Sequence, residues 1–362
     1  MRQVAADDLT LPPNGVLVHV GPYKTGTTAL QTSLHAHRSE LAAANVTYPG
    51  THHRQMRPSW ALVGRSRLGN PVVPIAEWVE LVAECRAAAG RVMISSEDLS
   101  SASPGQVRTL VDDLGRDRVH VLFVVRRLDR LLASSWQERV KSVHEIRSYD
   151  DWLREVLLDP RSRAAEIFWG HQSVAGQVRL WTSALPPERL TLVVADEDDA
   201  ALLLRLTERM LGLPGDTLSL AASANTSLSW NRAELVRGVN AGVQRGEWTP
   251  RLHKRLVYAG LVARLQESPT DGDDAPIPFV PQWATARIRD LSEQRRHEVS
   301  EAGVRVVGDP GRLRIPDDAR TSGHGAPTTI SVDSAVEGLT GVLDALQRRP
   351  GGRTGRPDRP AV

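Results

Sequence analysis

Residues 16–20 (VLVHV) form a short, almost unbroken apolar run, and the chain turns at once into Gly21-Pro22-Tyr23-Lys24-Thr25-Gly26-Thr27-Thr28. A run that is apolar at nearly every position, rather than at alternate ones, suits a strand buried on both faces of a parallel sheet. Beyond the loop, Leu30, Leu34 and Leu41 recur on one face of a helical pattern. Strand, glycine-containing loop and helix in that order point to an α/β class. The first N–H groups of such a helix lack intrahelical acceptors, and the helix dipole makes that end positive. Lys24 adds a full charge, Thr27 and Thr28 add hydroxyls, and Gly26 lets the backbone come close, so the parts make a phosphate cradle. It is not a Walker A loop: there the lysine directly follows the second glycine, whereas Thr27 follows Gly26 and Lys24 precedes it by two residues.

The alternation continues along the chain. Strands are expected at 92–95, 119–125 (VHVLFVV), 190–194 and 304–307. Helices are expected at 74–89, 104–114, 128–143, 149–158, 172–183, 198–211, 230–243, 250–266 and 333–348, the second of them opened by a Ser103 cap with Pro104 at the first position. The expected fold is therefore α/β, a P-loop-like three-layer arrangement with a mainly parallel central sheet flanked by helices. Residues 1–15 read as a flexible N-terminus, 16–348 as a single domain with a helical C-terminal part, 268–278 as an exposed loop and the Pro-, Gly- and Arg-rich 349–362 as a disordered tail.

Composition narrows the partners. With 45 basic and 43 acidic residues, the net charge of +2 gives no reason to expect nucleic acid or a membrane surface, yet it leaves room for a local anion pocket. A lone cysteine, Cys85, excludes an intramolecular disulfide and is expected in the core. The first residues do not read as a signal peptide, and no apolar run has the length of a membrane span, so a cytoplasmic location is expected.

Two further segments carry charged groups past strand ends. Arg126 follows the 119–125 strand directly and offers a bidentate fork to a phosphate. Ser134 stands eight residues on, opposite the Leu132/Trp136 stripe; Arg127 with Ser135 has the same spacing. Ser95-Ser96-Glu97-Asp98 follows the 92–95 strand. Lys24, Glu97 and Arg126 thus each lie just past the carboxyl end of an expected strand, the edge where open parallel sheets bind ligands. His52, His53 and His171 have no metal-ligand spacing, and no metal site is expected.

The stretch LVHVGPYKTGTTALQ resembles the 5′-phosphosulfate loop (PxxKxGTT) of sulfotransferases that use 3′-phosphoadenosine 5′-phosphosulfate (PAPS), above all their bacterial, actinobacterial-like branch. VLFVVRRLDRLLASSWQ resembles that family's 3′-phosphate region, and Phe168–Gln172 with Trp181, 190–196 and 225–228 are similar more loosely. The resemblance implies that Lys24 touches the 5′-phosphate and bridging oxygen, that Thr25, Gly26, Thr27 and Thr28 hold the 5′-phosphate, and that Arg126 and Ser134 bind the 3′-phosphate. It implies Glu97 as catalytic base, with His171, His52 and His53 as weaker candidates. The chain departs from the animal cytosolic pattern at Ala29 (Trp there), Ser95 (Lys) and Leu128 (Pro). The implied reaction moves a sulfuryl group from PAPS to a hydroxyl or amine of a small-molecule, lipid or saccharide acceptor and releases PAP, without a metal. The alternatives are a P-loop kinase or NTPase-like phosphotransferase and a non-catalytic nucleotide-binding protein of the same fold.

Overall fold

The apolar run at 16–20 becomes the centre of a parallel sheet, as its two-sided burial requires. The computed structural model describes residues 9–66, 71–142, 145–220, 227–269, 276–278, 280–319, 321–322 and 326–348. In chain order, β1 (Val16–His19) is followed by α1 (Thr27–Ala36), α2 (Arg38–Ala43), β2 (Val46–Thr47), α3 (Met56–Val63), α4 (Ala76–Ala87), β3 (Arg91–Ser95), α5 (Pro104–Leu114), β4 (Val119–Val125) and α6 (Leu128–Ser142). Next come α7 (Tyr149–Leu158), α8 (Arg163–Gln172), α9 (Val174–Thr182), β5 (Leu190–Val194), α10 (Leu202–Leu211) and α11 (Trp230–Arg245). The chain ends through α12 (Pro250–His253), a π-helical stretch (Lys254–Val262), α13 (Ala263–Glu267), β6 (Val280–Pro281), α14 (Thr285–Ser300), β7 (Arg305–Val307), β8 (Thr321–Ser322) and α15 (Val332–Gln347).

The main sheet has the order β2-β3-β1-β4-β5-β7, with every neighbouring pair parallel. Successive side chains alternate between its faces. Val16, Val18, Ile94, Val121 and Phe123 pack in one core with Trp78, Leu81, Leu110 and Trp181 from α4, α5 and α9. Leu17, Met93, Leu122 and Val193 pack in the other with Leu30 and Leu34 of α1 and Leu204 and Met210 of α10. Helices therefore cover both faces, and the fold is an α/β three-layer fold around a six-stranded parallel sheet. Cys85 is in the first core.

The described residues divide into two compact units. The sheet-bearing unit is drawn from residues 1–135, 149–224 and 278–323. The second, drawn from 136–148, 225–277 and 324–362, contains the end of α6, α11 to α13 and α15. Within it, the buried Arg232 donates to the carbonyls of Leu265 (2.6 Å), Ser268 (3.1 Å) and Pro269, satisfying the acceptors that α13 leaves open at its C-terminus. Asn240 donates to the carbonyls of Val140 (2.8 Å) and Glu145 (3.1 Å).

Local departures have local causes. The helix expected at 172–183 is α9, starting at Val174, because Ser173 adopts an extended conformation that ends the preceding α8 and caps α9 by accepting from the Gly176 N–H. Helix α10 starts at Leu202, after a turn in which the Asp198 N–H is taken by Asp196. The 250–266 helix changes pitch through the π-helical stretch. Of the expected flexible 1–15, the described part begins at Leu9, and Leu9 and Leu11 are buried. The tail 349–362, positions 225–226 and most of 268–278 lie outside the described residues. Among the described residues no helix is long and apolar enough to cross a membrane.

Candidate active site

The loop after β1 is shaped by two glycines with left-handed backbone. Gly21 has φ +80°, and a Cβ there would meet Glu97 Cβ at 2.9 Å and Glu97 Cα at 3.0 Å, so the absent side chain is what lets the loop lie on Glu97. Gly26 has φ +89° and open space around it; backbone conformation alone demands glycine there. Between them Lys24 also takes positive φ (70°) and is half-buried. The Gly26 carbonyl accepts the N–H groups of Ala29 (3.1 Å) and Leu30 (3.4 Å). Thr27 and Thr28, the first residues of α1, have N–H groups with no acceptor inside the helix.

The threonines differ from the simplest expectation. Thr25 Oγ1 and Thr27 Oγ1 both donate to the Pro22 carbonyl, at 2.6 and 3.4 Å, and both residues are buried. Their hydroxyls brace the loop from inside. Thr28 is exposed and keeps its hydroxyl on the outside.

Glu97 opens a single helical turn after β3 and is buried. Gln31 Nε2 donates to Glu97 Oε2 at 3.0 Å, and Arg54 Nη1 lies 3.4 Å from Oε1. Burial raises the Glu97 pKa above the ordinary carboxylate range; the neighbouring Asp98 charge adds to this, while Gln31 and Arg54 hold it back. Asp98 is also buried and accepts from Tyr23 Oη and from Arg65 Nη1 (2.6 Å), tying it to the loop's tyrosine. Ser100 Oγ donates to the Glu97 carbonyl at 2.7 Å and lies 2.7 Å from His171 Nδ1. With the hydroxyl proton committed to the carbonyl, the network assigns the His171 proton to Nδ1 and leaves Nε2 as an acceptor. Burial lowers the His171 pKa to about 4, and its ring stands edge-on to Tyr23, 5.3 Å between centroids.

Arg126 follows β4 at the same edge. Its Nη1 donates to the Lys24 carbonyl at 2.9 Å. Its Nε and Nη2 donate to the two Glu197 carboxylate oxygens at 2.6 and 2.8 Å. Burial alone would raise the Glu197 pKa, but the Arg126 bonds and the charges of Arg130 and Arg127 bring it below the ordinary value. The fork expected to face a phosphate thus has a carboxylate in it. Arg127, the alternative, is closed by the fully buried Asp129 at 3.1 and 2.6 Å. Ser134 and Ser135 are both half-buried on α6. His52 and His53 are exposed, and each meets a neighbour through its backbone carbonyl. Among the described residues no group of three or more His, Cys, Asp or Glu side chains is placed to hold a metal ion.

The sheet edge therefore unites the Lys24 loop with Glu97 through Gly21 and with Arg126 through the Lys24 carbonyl. Sequence reasoning missed Gln31, Arg54, Tyr23, Arg65 and Glu197. Glu197 could have been found, since it follows β5 at the carboxyl edge like the other three. Arg54 and Arg65 come from the connection between β2 and β3, where no periodic signal ties them to the edge.

No protein-family model matches the chain, and no curated protein matches it. Among solved structures it is similar to a sulfotransferase from Alicyclobacillus acidocaldarius, with 19% identity over 66% of this chain and 95% of that one and a TM-score of 0.42. At that distance neither substrate nor mechanism carries over.

Proposed function

We propose that this protein is a cytoplasmic, PAPS-dependent sulfotransferase. The observation that supports the reading most is the direct contact of three segments at one sheet edge: Gly21 lies on Glu97, and Arg126 holds the Lys24 carbonyl. PAPS, as the donor substrate, fits the donors available. The N–H groups of Thr27 and Thr28, the Thr28 hydroxyl and Lys24 suit its 5′-phosphosulfate, with Thr25 and Gly26 shaping the loop, while Arg126 and Ser134 suit its 3′-phosphate.

Sulfuryl transfer, like phosphoryl transfer, needs mostly positioning and charge stabilisation. In the proposed step an acceptor oxygen or nitrogen attacks sulfur in line. The S–O bond to the 5′-phosphate breaks as the new bond forms. Lys24 stabilises the charge that develops on the leaving phosphate oxygen. The Glu97 carboxylate takes the acceptor proton, and its raised pKa makes it a stronger base than an exposed glutamate. Gln31 and Arg54 hold that carboxylate in place. The acceptor is a hydroxyl or amine of a small molecule, lipid or saccharide.

One observation favours a second reading. With Glu197 in the Arg126 fork, the same edge would suit a nucleotide-binding protein that performs no transfer. Incubation with PAPS in EDTA, with PAP followed by chromatography across a panel of alcohols, phenols and amines, separates the two. Acceptor-dependent PAP formation that disappears in Glu97→Gln supports the transferase. Tight PAPS binding with no PAP formed from any acceptor supports the second reading.

A further inference from the structure

Helix α15 carries a surface that the proposed chemistry does not use. Its Gly338, Gly341, Ala345 and Ser334 are buried. A Cβ at Gly338 would meet Leu261 at 2.5 Å, and one at Gly341 would meet the Gly260 carbonyl at 2.6 Å, so this small-residue face seats α15 tightly against the π-helical stretch. The opposite face is apolar and open: Val332 is 77% exposed, Val336 54%, Leu339 61%, Leu343 50% and Leu346 51%. Their spacing of four, three, four and three residues is the a/d repeat of a coiled-coil seam, sustained over a helix about 24 Å long. Isolated exposed apolar side chains need no explanation, but five aligned on one helix do.

We propose that this face pairs with α15 of a second copy of the chain, antiparallel about a two-fold axis at Leu339. The seam is self-complementary in that register. Val332 meets Leu346 of the second copy, Val336 comes within one residue of the level of Leu343, and Leu339 meets itself, so a small side chain lies near a larger one at each level off the axis. Charge favours the same direction. The antiparallel pair brings Arg348 within about one turn of the second copy's Asp333, opposite charges at the two ends of the seam. The five side chains present roughly 500 Å², the upper range for one patch on a monomer, so two such faces come to about the ~1,000 Å² at which specific interfaces begin. A lipid surface fits less well, because the charges within α15 itself are Asp333, Glu337 and Asp344, the wrong sign for an interfacial helix. The C2 pairing is isologous and closes, so it ends at a dimer.

Sedimentation equilibrium of the full chain at micromolar concentration is the first test. The wild type should sediment as a dimer, and Leu339→Asp/Leu343→Asp as a monomer with unchanged circular dichroism, since both side chains are exposed. The register is tested with a short thiol cross-linker. Cys85 is buried, which pushes its thiol up to about 12 and keeps it out of the reaction. Leu339→Cys should cross-link to itself readily, and Val332→Cys, about 20 Å from its own copy in the antiparallel pair, should not. A monomeric wild type, a dimer that survives the double aspartate variant, equal cross-linking at Val332→Cys, or anionic-vesicle binding by the wild type that the double variant abolishes would each overturn the proposal. None of these outcomes bears on PAPS turnover.

Discussion

Replacing Glu197 by glutamine removes a negative charge from the Arg126 fork while keeping an oxygen that can accept from it. Arg126 retains its bond to the Lys24 carbonyl, so the loop keeps its support. A 3′-phosphate bound on the remaining Arg126 N–H groups would bring like charge to within ~6 Å of the carboxylate, a repulsion of about 1.5–3 kcal/mol per unit charge at an effective dielectric of ~20–40. The side chains of Arg126 and Glu197 are 24% and 21% exposed, so solvent and salt act on the pair. Discounting for that screening leaves about 1–2 kcal/mol, or roughly 5- to 30-fold in affinity. Calorimetry should therefore show Glu197→Gln binding PAP more tightly than wild type by about that factor, with less than ~3-fold change for 5′-AMP, and the gain should shrink as salt rises. Weaker PAP binding, or equal changes for PAP and 5′-AMP, would refute the reasoning and make Glu197 a residue that positions Arg126 for both ligands.

Glu97→Gln should leave PAP affinity intact and lower the rate of transfer by roughly 10²- to 10⁴-fold, read from single-turnover PAP release. A base that works as a carboxylate with a raised pKa predicts a rate that climbs with pH through a limb above the ordinary glutamate range; Arg54→Ala, which removes a charge favouring the ionised form, should move that limb higher still. Lys24→Ala should lower turnover more than donor affinity, since only interactions stronger in the transition state speed the step; an affinity loss at unchanged turnover would make Lys24 a binding residue only. Gly21→Ala places a Cβ on the Glu97 backbone at a left-handed φ and should destabilise the fold by about 1–3 kcal/mol in urea melts, with transfer impaired even where the protein is folded.

The sequence carried the sheet because its strands are apolar runs bounded by turn residues: 119–125 and 190–194 coincide with β4 and β5. It did not carry α14, whose sixteen residues (TARIRDLSEQRRHEVS) hold three large aliphatic side chains and bury Ser292 and Arg295 beside Ile288 and Val299. Without a broad apolar stripe, helical periodicity has nothing to register. Helix α3 was missed because Pro58 lies within its first turn and its eight residues are too few for a clear period. At the site, the carboxyl-edge rule found Lys24, Glu97 and Arg126 because each follows a strand. Arg54, whose charge acts on Glu97, and Arg65, which pairs with Asp98, are brought there by tertiary packing, which spacing along the chain does not encode. The inward turn of the Thr25 and Thr27 hydroxyls is likewise fixed by the Pro22 carbonyl rather than by residue type.

In the proposed reading, a nucleotide with phosphate at both ends of the ribose is held at one sheet edge by the Lys24 loop and Arg126 without a metal. Titration calorimetry of the wild-type chain in EDTA, with PAP, 5′-AMP and ATP in turn and then ATP with magnesium, tests that directly. PAP should bind most tightly, 5′-AMP more weakly by the roughly 10- to 100-fold that charge-assisted bonds to the 3′-phosphate contribute, and magnesium should add nothing for PAP. Magnesium-dependent ATP binding with no PAP binding would contradict it and identify the edge as a nucleoside triphosphate site.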